Sequence, residues 1–289
     1  MRLDEITDIS IILNNVCNSE CKTCAIWKND LPLELNMDLI FNNIINSEFK
    51  NATYVFQGGE ITLYSKFKEL IQRLNVEGIK YLVVTNGLEP DKIIEANVKK
   101  VSISFDGIMQ DTIRKIDSTR KIVDLIERLT AKGIYPRIGY TISSLNEKFF
   151  EADLEILKTF MDKYKLPQPY FQLAQFTNIF KLDSNAKKII IDDKILHKGI
   201  EMGVISEKSY KYLSYKFDKC VNPLYFLTVS CEGNVRTCQS FLYDDIIGNV
   251  HYQKLTDIYK DNYSLIKMQT KMCRFEKDCV IACHRRYTK

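Results

Sequence analysis

Residues 8–24 read DISIILNNVCNSECKTC: a β-branched apolar run, 8–13, followed at once by Cys17, Cys21 and Cys24. The run has the length and composition of a buried strand, and the polar residues after it mark where that strand ends. Three cysteines spaced four and then three residues apart on one loop can wrap three thiolates around three irons of a 4Fe–4S cube, leaving the fourth iron without a protein ligand. A zinc knuckle or a set of unpaired buried thiols would use the same residue types. A structural zinc site needs four closed ligands, however, and no fourth donor stands near this loop in sequence.

Outward from this stretch the same rhythm repeats. Further apolar runs at 53–56, 81–84, 101–105, 137–142 and 169–173 read as buried strands. Between them lie segments of helical period. Met37, Ile40, Phe41, Ile44 and Ile45 form one apolar face, Phe67, Leu70, Ile71 and Leu74 a second, and Ile122, Leu125, Ile126 and Leu129 a third. Strands alternating with helices imply a parallel sheet with βαβ crossovers. Because polar, glycine-containing segments follow several strands, the expected architecture is α/β, a partial (β/α)6 TIM-like barrel whose site lies at the C-terminal strand ends.

Those segments are Gln57-Gly58-Gly59-Glu60, Thr85-Asn86-Gly87 and Ser104-Phe105-Asp106-Gly107. Paired glycines let backbone carbonyls approach a cationic ligand closely, and Glu60 could add charge. Thr85, Asn86, Ser104 and Asp106 are candidates to bind a ligand's hydroxyl or carboxylate groups, although Asn, Asp and Gly also belong in ordinary strand-to-helix turns. Arg114, Arg120 and Arg137 are candidate carboxylate partners, none of them preferred from sequence.

The pattern changes near residue 214, so the chain divides into a barrel, 1–214, and a small cysteine-rich extension, 215–289. The extension predicts a hairpin, 226–230 with 235–238, turned at Glu232-Gly233-Asn234, then a helix near 255–262 and a cysteine-rich tail. Regions of this size are usually fastened by metal.

Composition bounds the rest. Of 289 residues 45% are hydrophobic and 27% charged, which is the balance of a folded globular chain. The net charge of +4 is too small to point to nucleic acid or an anionic membrane. No signal-peptide pattern and no long apolar span is present, so a cytoplasmic protein with no membrane partner is expected. Nine cysteines against three scattered histidines then favour thiolate-bound metal over disulfides or a histidine-rich centre.

With these motifs in this order, the chain resembles the radical S-adenosylmethionine (SAM) superfamily, over about residues 5–200. The resemblance implies a SAM-binding 4Fe–4S cluster on Cys17, Cys21 and Cys24, with SAM as cofactor. It places the methionine amino group at Gly58, Gly59 and Glu60, and the ribose and carboxylate near Thr85, Asn86, Ser104 and Asp106. The family usually has an aromatic residue before the third cysteine. Thr23 stands there, with Trp27 as the nearby substitute. The family's proline after the glycine pair is replaced by Ile61.

The extension resembles the SPASM or twitch domains of one branch of this family. Two auxiliary clusters would need eight thiolates. Only Cys220, Cys231, Cys238, Cys273, Cys279 and Cys283 remain, and the expectation is one auxiliary 4Fe–4S cluster. Cys220, Cys238 and Cys283 are the firmer ligands, completed by Cys279 or Cys273. Cys231 falls outside the pattern, as a buried thiol or as a hydrogen-atom donor facing the substrate. The implied activity is reductive cleavage of SAM to a 5′-deoxyadenosyl radical that takes a hydrogen atom from substrate. The electron comes from a reductant such as flavodoxin or ferredoxin. The substrate class expected is a peptide undergoing crosslinking, epimerisation or oxidation, with a small molecule such as an aminoglycoside or sugar as the alternative. A rival of another class is a non-catalytic, zinc-stapled binding protein.

Overall fold

A computed structural model describes residues 3–46, 48–174, 189–214, 222–238 and 246–270. Six strands, β1 (Asp8–Ile12), β2 (Thr53–Gln57), β3 (Tyr81–Thr85), β4 (Val101–Ser104), β5 (Arg137–Ile142) and β6 (Tyr170–Leu173), follow one another through helical crossovers. All six expected barrel strands are present, within a residue or two of the expected ends.

Each strand pairs in parallel with the one before it, so the spatial order is the chain order. A doubly wound sheet reverses direction at a switch point. Monotonic winding without reversal is instead the path of a (β/α) barrel. Among the described residues the sheet does not close on itself: β6 ends it on one side, and strands from the C-terminal part of the chain extend it on the other.

The two faces of the sheet differ by the period-2 rule. Phe56, Val83, Ile103, Tyr140 and Phe171 are buried against the core on one face. On the other, Gln57, Val84, Ser104, Thr141 and Gln172 line a cavity at the C-terminal strand ends. The crossover helices seal the first face. Helix Phe67–Val76 buries Phe67, Leu70, Ile71 and Leu74, and helix Thr119–Ala131 buries Ile122, Leu125, Ile126 and Leu129, as their spacing predicts. Each such side chain contributes roughly 1.5–3 kcal/mol.

The crossover after β1 departs from an ordinary helix. Asn36 caps a single α-turn, Met37–Leu39, which widens into a π-turn, Ile40–Ile44. There Asn43 donates to the carbonyl of Val250 (2.7 Å), tying this crossover to the C-terminal part of the chain.

The expected hairpin forms as β7 (Phe226–Val229) and β8 (Asn234–Arg236), with Gly233 in the turn at φ 81°. β7 joins the barrel sheet directly, pairing in parallel with β1 from Asp8 opposite Phe226 to Ile11 opposite Val229. β8 and the two-residue β9 (Gly248–Asn249) extend the same sheet antiparallel. Helix Leu255–Asp261 stands where a helix was expected. No helix among the described residues is long and apolar enough to cross a membrane.

Candidate active site at the strand ends

The β1–β2 ladder does not stop at the strands. The Leu13 N–H donates to the Gln57 carbonyl (2.8 Å), Gly59 N–H to the Asn14 carbonyl (2.9 Å), and Glu60 N–H to the Val16 carbonyl (2.7 Å). The fully buried Asn14 closes the register by donating its side-chain amide to the Glu60 carbonyl (3.0 Å). The base of the cysteine loop is therefore fastened along the Gly-Gly-Glu segment. A Cβ on Gly58 would lie 2.5 Å from the Asn14 carbonyl oxygen, and one on Gly59 only 2.0 Å from that of Val16. Both glycines are needed so that two backbones can touch.

Above this seam, Cys17, Cys21 and Cys24 line one cavity of about 190 Å³ together with Gly58, Gly59, Glu60, Thr85, Asn86 and Ser104. These candidate residues thus meet at one place together with Arg114, one of the three candidate arginines, and are joined by Thr23, Thr141 and Gln172. The loop is clamped on two sides. The Trp27 indole N–H donates to the carbonyls of Cys24 (2.8 Å) and Cys21 (3.2 Å). Lys22 N–H donates to the Ile113 carbonyl (2.8 Å), and the Ser19 hydroxyl to that of Arg114 (3.0 Å). Trp27 is thereby turned to the outer side of the loop, beside Lys28 and Lys115, while Thr23 remains on the main cavity.

Burial pushes the Cys17 thiol up to about 11 and the Cys24 thiol up to about 12. Both carry protons near neutrality until a metal displaces them. Among the described residues no group of three His, Cys, Asp or Glu is arranged to hold a metal ion. Three thiols share this cavity, and among the described residues there the one carboxylate, Glu60, is engaged by Thr62, Thr85 and Asn86, an arrangement that suits a cluster with one iron open.

Glu60, the expected charge partner for an ammonium group, is only 1% exposed. One carboxylate oxygen accepts from the Thr85 hydroxyl (2.6 Å) and from the backbone N–H (3.2 Å) and hydroxyl (3.0 Å) of Thr62. The other accepts from the Asn86 N–H (2.8 Å). Burial raises its carboxyl above the ordinary range, and these hydrogen bonds pull the other way. Asn86 continues the network to the cysteine loop by donating to the Asn18 side-chain oxygen (2.8 Å). Glu60 therefore ties the ends of β2 and β3 together whatever else it meets in the cavity.

Ser104 lies on the cavity wall, whereas Asp106 stands behind it. One Asp106 oxygen accepts from Arg114 Nε (2.8 Å); the other is buried without a hydrogen-bond partner among the described residues. Of the three arginines singled out, Arg120 and Arg137 are exposed, and Arg114 alone reaches the cavity. Burial works against the Arg114 charge, but Asp106 and the Cys21 sulfur outweigh it and hold its pKa above the usual value. Gly107, at φ 65°, leaves the space that the Asp153 carboxylate fills. Asp153 in turn accepts from the Ile108 N–H (2.7 Å) and from the Tyr140 hydroxyl.

Sequence reading missed Asn14, Gln57, Thr141, Gln172 and Asp153. The first four carried a signal, each being a polar residue in or just past an apolar strand run. Asp153 had none, sitting within an otherwise amphipathic helix.

In the extension, Cys231 is buried, and its thiol is pushed up to about 12 by burial and by the neighbouring Glu232 carboxylate. Because β7 is parallel to β1, Cys231 follows β7 at the same end of the sheet as the cysteine loop, although it does not line the main cavity. Cys238, two residues past β8, lies toward the opposite end, since Arg236 pairs with Thr228 and β8 runs antiparallel. The five described cysteines form no disulfide. Cys220, Cys273, Cys279 and Cys283 lie outside the described residues.

Residues 11–156 match the model of the Radical SAM superfamily. The chain is 30% identical over 155 residues to a probable GTP 3',8-cyclase of Sulfolobus acidocaldarius, covering half of each chain. It is 23% identical over 283 residues to a probable GTP 3',8-cyclase of Saccharolobus islandicus, covering 90% of this chain and 89% of the relative. Similar solved structures include Streptococcus suis SuiB bound to S-adenosylmethionine, with TM-score 0.69 and 13% identity over 95% of this chain and 72% of that one. Another is anSMEcpe with bound AdoMet and the Cp18Cys peptide, with TM-score 0.61 and 18% identity over 96% and 89%. These likenesses bear out the α/β partial barrel. With three cysteines on the loop after β1, the strand-end motifs around one cavity and the matched family model spanning half its length, the chain belongs to the radical SAM superfamily, whose cofactors are SAM and a 4Fe–4S cluster.

Proposed function

We propose that this chain binds its SAM-cleaving cluster through Cys17, Cys21 and Cys24 and removes a hydrogen atom from a peptide substrate. The observation that carries the site is the convergence of those three thiols with Gly58, Gly59, Glu60, Thr85, Asn86 and Ser104 on one cavity. When bound, the cluster supplies the electron that splits SAM into methionine and a 5′-deoxyadenosyl radical. The chain's own residues hold the cysteine loop through Asn14, Trp27 and Ser19, and line the cavity mostly with uncharged hydrogen-bonding groups, with Glu60 and Arg114 as the exceptions among the described residues. Gln57, Thr141 and Gln172 are positioned to orient bound molecules there.

Two readings of the substrate compete. The similarity to GTP 3',8-cyclases along nearly the whole chain favours a nucleotide. A triphosphate wants several unengaged cations. Among the described residues of the cavity wall, Arg114 is the one cation, and it is already paired with Asp106. The peptide reading is consistent with a wall whose one cation is already engaged. A single auxiliary 4Fe–4S cluster on Cys220, Cys238, Cys283 and either Cys279 or Cys273 completes the proposal, supported by cysteine count and spacing.

Anaerobic purification and iron analysis test this. The expected results are a brown protein with about eight irons per chain and 5′-deoxyadenosine formed from SAM under strong reductant. Replacing Cys17, Cys21 and Cys24 together by alanine should halve the iron and abolish 5′-deoxyadenosine. Colourless, zinc-loaded protein would overturn the reading. Deuterium transfer into 5′-deoxyadenosine from labelled peptides, and its absence with labelled GTP, would separate the two substrate classes.

A further inference from the structure

We propose that Arg114 tunes the reduction potential of the N-terminal cluster through Cys21. The inference rests on the cluster assignment above. Arg114 Nη1 lies 3.7 Å from Cys21 Sγ, and a guanidinium can only donate to that sulfur. The contact is aimed. Asp106 holds Nε at 2.8 Å, and the Arg114 side chain is only 14% exposed, so its charge is weakly screened. The Ser19 hydroxyl gives its one proton to the Arg114 carbonyl (3.0 Å), which fastens the backbone of this residue beside the cysteine loop. Cys24 receives a weaker neutral donor, the Ile26 N–H at 3.5 Å. Among the described residues, Cys21 is the one of the three sulfurs with a cationic donor in contact.

Adding an electron to the cluster adds negative charge. A fixed cation and hydrogen bonds at a ligand sulfur stabilise the reduced form more than the oxidised form, and so raise the midpoint potential. Arg114 is therefore a positioning and tuning residue, distinct from a ligand to SAM itself. Asp106 acts through it, by aiming the guanidinium.

The test is an EPR-monitored redox titration of the reconstituted, full-length protein without SAM, following the cluster signal that changes when SAM is later added. Arg114→Gln, with iron content equal to wild type, should move that midpoint to more negative potential. Arg114→Lys, which keeps the charge, should move it less. Arg114→Met, which keeps the bulk and removes the charge, should move it in the same direction as Arg114→Gln, and this variant decides the matter should the glutamine protein fail to load iron. An unchanged midpoint in fully loaded Arg114→Gln, with only SAM affinity lost, would make Arg114 a SAM ligand and overturn the proposal. A wild-type protein with no such signal would overturn the cluster assignment as well.

Discussion

Gly59 has no room for even one methyl group, because the Val16 carbonyl oxygen stands 2.0 Å from where a Cβ would be. The obstacle is backbone, so relief requires moving the cysteine loop. Gly59→Ala is therefore expected to keep a folded barrel but to lose most of its N-terminal iron on reconstitution, read as iron per chain. Full iron content in that variant would show that the loop tolerates displacement. Asp153 makes a second residue-scale prediction. Burial holds its carboxyl above the value near 3.9 of an unfolded chain. A group raised in this way contributes stability that is complete below the unfolded pKa and is lost as pH rises through the folded pKa. The stability difference between wild type and Asp153→Asn should therefore shift against wild type as pH rises from about 4, then level off. Denaturant midpoints of the two apoproteins across pH give the curve, and a flat difference would refute it.

At the scale of elements, the seam between β1 and β2 does more than join two strands. Asn14 accepts from Gly59 and donates to the Glu60 carbonyl, so Asn14→Ala leaves buried backbone groups with poorer partners. The expected cost is about 1–3 kcal/mol, together with faster loss of iron to a chelator in a timed anaerobic assay. An unchanged chelation rate would place the loop's support elsewhere. This seam also shows what was legible beforehand. The six strands, the two apolar helix faces after β2 and β4 and the cysteine loop all follow from local period and spacing, because each is set by residues close in sequence. The gathering of Cys17, Glu60, Thr85 and Ser104 around one cavity was legible only through the order of motifs along the chain. The Arg114 contact with Cys21 joins residues far apart in sequence, and Trp27 turns outward because its indole finds two carbonyls of the loop. No local pattern encodes either arrangement.

For the molecule as a whole, the attachment of β7 to β1 governs how the barrel and the extension depend on each other. Sequence composition changes near residue 214, but the sheet does not end there. β1 has β2 on one side and β7 on the other, and Leu227 and Val229 are as fully buried as Ile9 and Ile11. The Tyr225 carbonyl also accepts from the backbone N–H groups of Thr7 (2.9 Å) and Asp8 (3.3 Å). A fragment ending at residue 214 would expose the β1 edge as a row of unpaired backbone groups beside apolar surface, the arrangement that recruits other chains. Residues 1–214 expressed alone are therefore expected to aggregate, or to bind hydrophobic dyes, where the full chain does not. A milder version keeps every residue. Leu227→Ala should cost about 2–5 kcal/mol and lower the unfolding midpoint of the barrel strands together with the hairpin, as followed by hydrogen exchange at β1 and β7. Independent exchange, with β1 protection untouched by the Leu227 change, would mean that the hairpin is an appendage. Coupled loss would mean that the cysteine loop rests on a sheet whose stability is set partly by the extension.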